Sequence, residues 1–341
     1  MADPVRIAFI GTGGIAGHHL GELTALGPEK ARVVALCDIS EERARSAAED
    51  VADARVFTDH HRMFDEAAAD IDAVYVCVPP FAHDDAEQLA AAAGLHLFVE
   101  KPVVLDYDLG LANLAAIEKG GILSSVGYTL RYRHPWRTAR DLLHDREVSM
   151  ICADRWGGTP GDEDNWWRVQ EKSGGQLHEQ TTHQIDAMRW IAGEITEVYA
   201  CYGHRVAENT TNMTVPDSQV MSLRFASGAV GYVSNVCTLT SGGGRSGMQV
   251  LMGDTIADIG RELTVQPEDA IAVPAEAPAY ESIDAAFVRA VSSGDGAPIL
   301  CDYAEGLRSA AVSLAANESA ATGRPVSVPC GQSGLPGSSL V

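Results

Sequence analysis

The sequence predicts an α/β domain followed by an α+β domain with a large, mostly antiparallel open sheet. In the first part of the chain, short apolar runs alternate with helical stretches. After about residue 127, strand-like runs follow one another with few helices between them, which is typical of an antiparallel sheet. The length of 341 residues is also that of two ordinary domains rather than one.

The strands of the first part are predicted from runs that are apolar throughout. Such runs are typical of parallel strands whose two faces are both covered by helices. The predicted strands are Val5–Ile10, Val33–Cys37, Ala73–Val78, His96–Val99 and Ile122–Val126, and helices are predicted over 41–52, 83–93 and 106–119.

The second part is predicted to contain longer strands. Phe225–Ala229 joins two of them with the turn chemistry of a hairpin. Strands are predicted over 148–156, 196–206, 217–225, 229–237 and 248–252, and helices over 134–144, 176–191 and 302–321. The domains are therefore predicted as 1–127 and 128–330, followed by a Gly/Ser/Pro-rich flexible tail over 331–341.

The composition excludes several classes of partner. The chain carries 25 Lys and Arg against 47 Asp and Glu, a formal net charge of -22, so a nucleic acid or an anionic membrane would be repelled. No apolar run approaches the roughly 18 residues of a membrane helix. The seven cysteines are scattered, without a CxxC pair, which favours reduced thiols in a cytoplasmic protein.

A glycine motif follows the first predicted strand. Gly11, Gly13 and Ala16 fit the pattern GxGxx[G/A], with Gly14 and Ile15 in the same turn. This spacing predicts dinucleotide binding, because the glycines allow a tight turn and bring the backbone close to a pyrophosphate at a helix N-terminus.

Asp38 ends the second predicted strand, where an acid usually binds the adenosine ribose. Its carboxylate would accept hydrogen bonds from the ribose hydroxyls and repel a 2′-phosphate. We therefore expect NAD rather than NADP as cofactor, although Arg43, one turn later, weakens that preference.

Two further motifs lie at the carboxyl ends of predicted strands. Pro79 and Pro80 are expected to form a rigid wall beside the nicotinamide, with His83 in the same CVPPFAH segment. Glu100 and Lys101 follow the next strand, within VEKPV, at the sheet edge where ligands bind in open α/β folds. Both are expected to contribute to cofactor binding, and Glu100 would hold either the lysine or the cofactor.

The segments GTGGIAG, CVPPFAH, GLHLFVEKP and AANESAATGRPVSV resemble the Gfo/Idh/MocA family, nearly from end to end. The resemblance implies a Rossmann domain and a second domain whose open sheet mediates a homodimer or homotetramer. It also implies hydride transfer between NAD(P) and a hydroxyl or carbonyl carbon of a sugar or cyclitol.

The stretch Ser173–Trp190 is predicted to supply the substrate side. On a continuous helix, Glu179, His183 and Asp186 would share one face, which suits proton transfer better than a buried core. The family has Asp four residues before this histidine, whereas this chain has Glu179. That carboxylate is expected to orient the imidazole, contact substrate or do neither, and Asp186 either contacts substrate or fixes the helix.

The resemblance implies that substrate lies between the nicotinamide and His183. Lys101 would donate a hydrogen bond to the reacting oxygen, and either His183 or Lys101 would take the hydroxyl proton. An unperturbed lysine pKa of ~10.4 is high for a base at neutral pH, whereas that of histidine is ~6.5. The sequence leaves both carriers open.

Tryptophans and arginines concentrate near this stretch. Trp156, Trp166, Trp167 and Arg168 are expected to stack on and hydrogen-bond to a sugar, or else to pack a domain junction. Tyr128 and Arg131 are expected to line the substrate pocket, although Arg131 could equally form a salt bridge between domains.

No metal site is predicted, although the chain has 11 histidines. The adjacent pairs His18–His19 and His60–His61 would point apart on one element, and no HxxxH or HExxH spacing occurs.

The sequence thus predicts an NAD-dependent oxidoreductase acting on a sugar, cyclitol or keto-sugar. Two alternatives remain. The first is a redox-neutral enzyme that keeps NAD bound and cleaves, eliminates or epimerises through transient oxidation. The second is a non-catalytic sensor of NAD and sugar.

Overall fold

The computed structural model describes residues 3–51, 53–207, 209–239 and 242–329. The chain divides into two compact units. The first contains the chain up to Arg137 together with Pro278–Leu307, and the second contains Thr138–Ala277 and the chain from Arg308. Residues 278–307 were predicted to belong to the second domain, 128–330. In the structure they pack with the first unit instead. The tail predicted at 331–341 lies outside the described residues.

The described residues form fourteen strands and eleven α-helices. The strands are β1 (Val5–Ile10), β2 (Ala31–Cys37), β3 (Arg55–Phe57), β4 (Ala73–Val76), β5 (His96–Val99), β6 (Ser124–Val126), β7 (Met150–Trp156), β8 (Ile195–Gly203), β9 (Ser218–Phe225), β10 (Val230–Val236), β11 (Arg245–Met252), β12 (Thr255–Ile259), β13 (Leu263–Gln266) and β14 (Val326–Ser327). The helices are α1 (Gly14–Leu26), α2 (Glu41–Glu49), α3 (His60–Ala67), α4 (Ala86–Ala92), α5 (Tyr107–Gly120), α6 (Trp136–Leu143), α7 (Gln170–Ser173), α8 (Gln176–Glu179), α9 (Thr182–Ala192), α10 (Ile283–Ser293) and α11 (Tyr303–Thr322).

The sheet of the first unit is wholly parallel, in the order β3-β2-β1-β4-β5-β6. This confirms the predicted α/β fold. The strand order reverses between β1 and β4, which is the point where open α/β sheets bind ligands. Three helices of this unit begin at a polar side chain that caps them: Ser40, Asp59 and Asp106 accept from backbone N–H groups at the starts of α2, α3 and α5.

The core of the first unit is built on aromatic side chains of its central strands. Tyr75 stacks between Phe9 and Phe98, with ring centroids 4.8 and 4.5 Å away. Phe287 of α10 meets Tyr75 and Phe98 edge-on, at 5.6 Å from each. A helix far along the chain thus completes the core of this unit, and the sequence patterns did not predict that helix.

The sheet of the second unit has the order β13-β12-β11-β7-β10-β9-β8-β14. Only β7 and β10 pair in parallel among its described strand pairs, which confirms a large, mostly antiparallel sheet. The predicted hairpin joins β9 to β10, with Gly228 at a φ of 90° in its turn. Side chains along β9 alternate between buried and exposed, because one face of the sheet is covered.

The predicted helix over 176–191 is interrupted. The structure has α8 and α9 instead, and the amide of Thr181 donates to the carbonyl of Gln176, five residues earlier. This wide turn, in which the hydrogen bond spans five residues and not the four of an α-helix, adds one residue to the helical repeat. Glu179 therefore does not share a continuous helix with His183 and Asp186. Wide turns of this kind often occur at functional sites.

None of the helices within the described ranges is long and apolar enough to cross a membrane. The six cysteines in the described part of the chain are free thiols, and all but Cys201 are buried.

Candidate active-site residues in the two units

The turn after β1 can only be made by glycine. Gly11 has a φ of 89°, and a Cβ placed there would lie 2.7 Å from the carbonyl oxygen of Cys77. By contrast, a Cβ added to Gly13 or Gly14 would meet no atom within 4 Å, so the backbone at the start of α1 is open. Ile15 is exposed and Ala16 is fully buried. An open backbone at a helix N-terminus is the kind of site that accommodates a dinucleotide pyrophosphate.

Asp38 follows β2 and is already held by its neighbours. Its carboxylate accepts from the amide and hydroxyl of Thr12 at 3.0 and 3.1 Å, and from Arg43 at 2.6 Å. Burial raises the pKa of this carboxyl, but the hydrogen bonds from Arg43, Ser40 and Thr12 outweigh burial and lower it. Asp38 is therefore a fixed carboxylate beside the glycine turn.

The loop after β4 carries the paired prolines. Pro79 is partly exposed, whereas Pro80 is buried and starts a 3-10 turn over Pro80–Ala82. His83 is also buried, and its Nδ1 lies 2.6 Å from Oε1 of Glu87. The structure thus places His83 in a contact with the first turn of α4, while Pro79 presents the more open surface.

Glu100 and Lys101 follow β5 at the same edge of the sheet. Glu100 is buried and accepts from the backbone amide of Lys101 at 3.1 Å. Its other oxygen lies 3.1 Å from Nε2 of His19. The Lys101 side chain is partly exposed. The acid therefore holds the backbone at the residue expected to act on substrate.

Two residues of this arrangement were not predicted from the sequence. His19 is fully buried on α1, and Asp284 of α10 is equally buried beside it. The one signal in the sequence that could have indicated His19 is its position on the helix that follows the glycine motif. Asp284 is 265 residues away in sequence, and no local pattern marks it.

In the second unit, a glycine pair brings the chain into α8. Gly174 and Gly175 have φ values of 71° and 87°, and a Cβ on Gly174 would lie 2.6 Å from the His178 ring. Glu179, at the end of α8, is buried, with 2% of its surface exposed. The following wide turn is fixed by Asn235 of β10, which donates to the Thr181 hydroxyl at 2.8 Å.

His183 differs from the residues around it. Within 181–189 every residue is buried except His183, which is partly exposed. Asp186, on the same helix, is fully buried and accepts from the Ser309 hydroxyl at 2.8 Å. Asp186 therefore connects α9 to α11, whereas His183 is partly exposed.

The remaining predicted substrate residues are mostly engaged within their own units. Arg168 is buried and donates to the backbone carbonyls of Pro160, Gly161 and Thr211. Trp156 donates to the Ser234 hydroxyl at 2.7 Å. The Trp166 and Trp167 rings meet edge to face at 5.9 Å, and Trp167 is partly exposed.

In the first unit, Tyr128 is fully buried. Arg131 donates to the carbonyl of Leu300 at 2.5 Å and lies 3.4 Å from Glu305, within the same unit. These contacts fix the segment after β6 to residues 300–305.

The expectation for the histidine pairs was correct for one pair and wrong for the other. His19 is buried and His18 is exposed, so these two point apart. His60 and His61 instead approach the same carboxylate, that of Asp85. They lie in the first turn of α3, where the neighbouring Asp85 attracts both rings.

Comparison with known proteins gives matches along most of the chain. Residues 5–128 match a family described as an oxidoreductase family with an NAD-binding Rossmann fold. Residues 136–253 match the GFO/IDH/MocA C-terminal domain.

Relatives with known names agree with these two matches. An uncharacterized oxidoreductase of Bacillus subtilis, YrbE, is 27% identical over 340 residues, covering 96% of this chain and 98% of that protein. An inositol 2-dehydrogenase of Rhizobium meliloti is 30% identical over 244 residues, covering 70% of each. The solved structure of levoglucosan dehydrogenase with NADH and levoglucosan superposes with a TM-score of 0.82 at 20% identity, covering 96% and 100% of the two chains.

Proposed function

This chain belongs to the Gfo/Idh/MocA family of NAD-binding oxidoreductases, and from that premise we propose that it is an NAD-dependent dehydrogenase of a neutral sugar or cyclitol. The same residues would serve oxidation of the alcohol and reduction of the corresponding ketone.

The observation that carries this proposal is the partial exposure of His183 on an otherwise buried stretch of α9. The other residues of 181–189 are buried, and an imidazole that keeps partial access to solvent among them suits a proton-transfer group. The buried Glu179 precedes it, as a carboxylate does in the family pattern. The open backbone at Gly13 and Gly14 supports the cofactor half of the proposal.

NAD, when bound, supplies the acceptor for the hydride that leaves the carbinol carbon. Gly11, Gly13, Gly14 and Ile15 would bind its pyrophosphate, and Asp38 its adenosine ribose. Pro79, Pro80 and His83 would shape the loop beside the nicotinamide, with Pro79 in contact and the buried His83 supporting the loop. Glu100 would hold the backbone of Lys101 in place.

Lys101 would donate a hydrogen bond to the substrate oxygen and stabilise its developing negative charge. The hydroxyl proton would pass to the imidazole of His183, which becomes imidazolium. Glu179 would stabilise that cation. The substrate side would be shaped mainly through the packing described above, by Tyr128, Arg131, Trp156, Trp167, Arg168 and Asp186.

A neutral substrate is favoured by the chain's charge. A net charge of -22 repels polyanions and leaves polyols unaffected. Two of the three relatives named above are dehydrogenases of this chemical class, because inositol and levoglucosan are both uncharged polyhydroxy compounds.

A homodimer or homotetramer through the second sheet is part of the proposal. Val220, Val230 and Tyr232 lie exposed on neighbouring strands of one face of that sheet. An apolar group of this kind favours association with a second copy. A cytoplasmic location is also proposed, in keeping with the buried free thiols.

The test is a panel of sugars, cyclitols and their keto forms, assayed with NAD(H) and NADP(H) by the near-ultraviolet absorbance of the reduced cofactor. Net NADH formation with a neutral polyol supports the proposal. Substrate turnover without net NADH would instead show the redox-neutral alternative. Binding of both ligands without any turnover would show the sensor.

A further inference from the structure

Four potential metal ligands meet outside the residues assigned to hydride transfer. His60 and His61 begin α3, and Asp84 and Asp85 precede α4. One donor atom from each of the four lies within 4.8 Å of the others. The cluster therefore joins the start of α3 to the segment that precedes α4.

The two imidazoles converge although they are neighbours in sequence. Adjacent side chains on a helix normally diverge by about 100°. Here the ring centroids are 4.2 Å apart, with Nε2 of His60 at 2.9 Å and Nε2 of His61 at 3.1 Å from the Asp85 carboxylate. The ligand atoms thus face a common point.

The charge around this point is negative. Asp59 adds a third carboxylate, 3.5 Å from Nδ1 of His61. The arginine next to the pair in sequence, Arg62, is bound to Glu66 at 2.6 Å. Among the described ion pairs, the partners of Asp85 are His60 and His61. A dication would neutralise this excess of carboxylates.

The donor set selects the class of metal. Imidazole nitrogens with carboxylate oxygens suit zinc and its first-row neighbours, whereas calcium and magnesium prefer oxygen ligands alone. Zinc binds such donors at about 2.0–2.1 Å, so each ligand atom of the cluster would have to move inward by only about 1 Å.

We propose that His60, His61, Asp84 and Asp85 form a binding site for a divalent cation of the cobalt-to-zinc series. The ion would replace the His–Asp hydrogen bonds with coordinate bonds and would connect the start of α3 to the start of α4. Its role is structural, since none of the four ligands is assigned to cofactor or substrate.

The experiment is calorimetric titration of the chelator-treated full-length protein with Zn²⁺, in a Cys201→Ser background that removes the one exposed thiol of the described chain. One site per chain is expected, together with a thermal midpoint that rises with Zn²⁺ concentration. The double variant His60→Ala/His61→Ala should lose at least about tenfold in affinity. The matched control is His144→Ala/His204→Ala, which removes two exposed histidines elsewhere and should bind as the parent does.

Equal affinity in the His60/His61 variant and the parent would overturn the proposal, as would the absence of saturable binding in the parent. If the double variant does not fold, Asp85→Asn is the second probe, because it keeps the side-chain volume and removes a charged ligand. It should also lose at least about tenfold in affinity, and unchanged affinity there would equally overturn the site.

Discussion

Nδ1 of His19 lies 2.8 Å from Oδ1 of Asp284, and both side chains are buried. The other ring nitrogen lies 3.1 Å from Glu100, so one imidazole bridges two carboxylates. Burial on its own lowers the pKa of His19, but the hydrogen bonds to Asp284 and Glu100 outweigh it and raise the pKa to about 9. His19 is therefore an imidazolium at neutral pH, and it links α10 to the segment that carries Lys101.

This bridge predicts a loss of stability in alkali. Because the pKa is higher in the folded state than in the unfolded chain, the stabilisation is complete below about 6.5, the unfolded pKa. It declines as pH rises from there and is lost above about 9. Thermal unfolding followed across this range should show that decline in the parent and a flatter profile in His19→Gln.

His96→Gln is the matched control for the alkaline decline. Burial lowers the pKa of His96, so any change in stability that results from its titration occurs below pH 6.5 and not in alkali. The variant should therefore keep the alkaline decline of the parent. A decline that persists unchanged in His19→Gln would show that the bridge is not its source.

Lys101 and His183 are predicted to affect turnover more than binding. Lys101→Met and His183→Ala should each lower kcat by about 10²–10⁴-fold, because each removes a group that acts on the developing charge or the moving proton. NADH binding, measured by fluorescence titration, should stay near that of the parent in His183→Ala and should fall less than turnover does in Lys101→Met. Added imidazole should restore part of the activity of His183→Ala and none of that of Lys101→Met if His183 carries the proton.

His178→Asn is the control that distinguishes a loss of catalysis from a loss of stability in that experiment. His178 is fully buried on α8 and bonded to Ser313 at 2.7 Å, so its loss should lower thermal stability and leave kcat largely intact. A kcat for His183→Ala equal to that of His178→Asn would count against a catalytic role for His183.

Asp38 is predicted to set cofactor preference. Asp38→Ser removes a carboxylate that would repel a 2′-phosphate and releases Arg43, whose side chain is 55% exposed. The ratio of kcat/KM for NADP⁺ to that for NAD⁺ should rise at least about tenfold, which corresponds to about 1.4 kcal/mol. Glu41→Gln, which removes an exposed acid paired with Arg45, is the control. A parent enzyme that already prefers NADP⁺ would refute the assignment.

Tyr232 is predicted to contribute to self-association. The side chain is 36% exposed on β10, and a charge there would oppose burial of the sheet face against a second copy. Light scattering coupled to size exclusion should find the parent as a dimer or tetramer and Tyr232→Asp shifted toward monomer. The conservative Tyr232→Phe should remain associated, and a monomeric parent would contradict the prediction.

The sequence predicted the parts of the fold that depend on local pattern. Largely apolar runs predict β1, β4 and β5 because both faces of that sheet are covered, and the turn chemistry of Phe225–Ala229 predicts the hairpin formed by β9 and β10. The Gly11 turn was predictable as well, since its φ of 89° requires glycine.

The remaining features depend on contacts between distant residues. Asp284 reaches His19 only after the chain has returned to the first unit, so no spacing reveals the pair. The wide turn between Gln176 and Thr181 adds one residue to a helical pattern. The residue types of this segment are those of a helix, so they do not reveal the turn. Convergence of His60 and His61 likewise depends on Asp85, which lies in the segment before α4.

The packing of residues 278–307 against the first unit affects when this unit can fold during synthesis. A nascent chain ending at Arg137 has all six strands of the first sheet but lacks Phe287 and Asp284. Such a chain exposes the faces of Tyr75 and Phe98 that meet Phe287 and leaves His19 without one of its carboxylates. Although the strands of this unit are translated before the second unit, its core can be completed only after residues 278–307 have been synthesised.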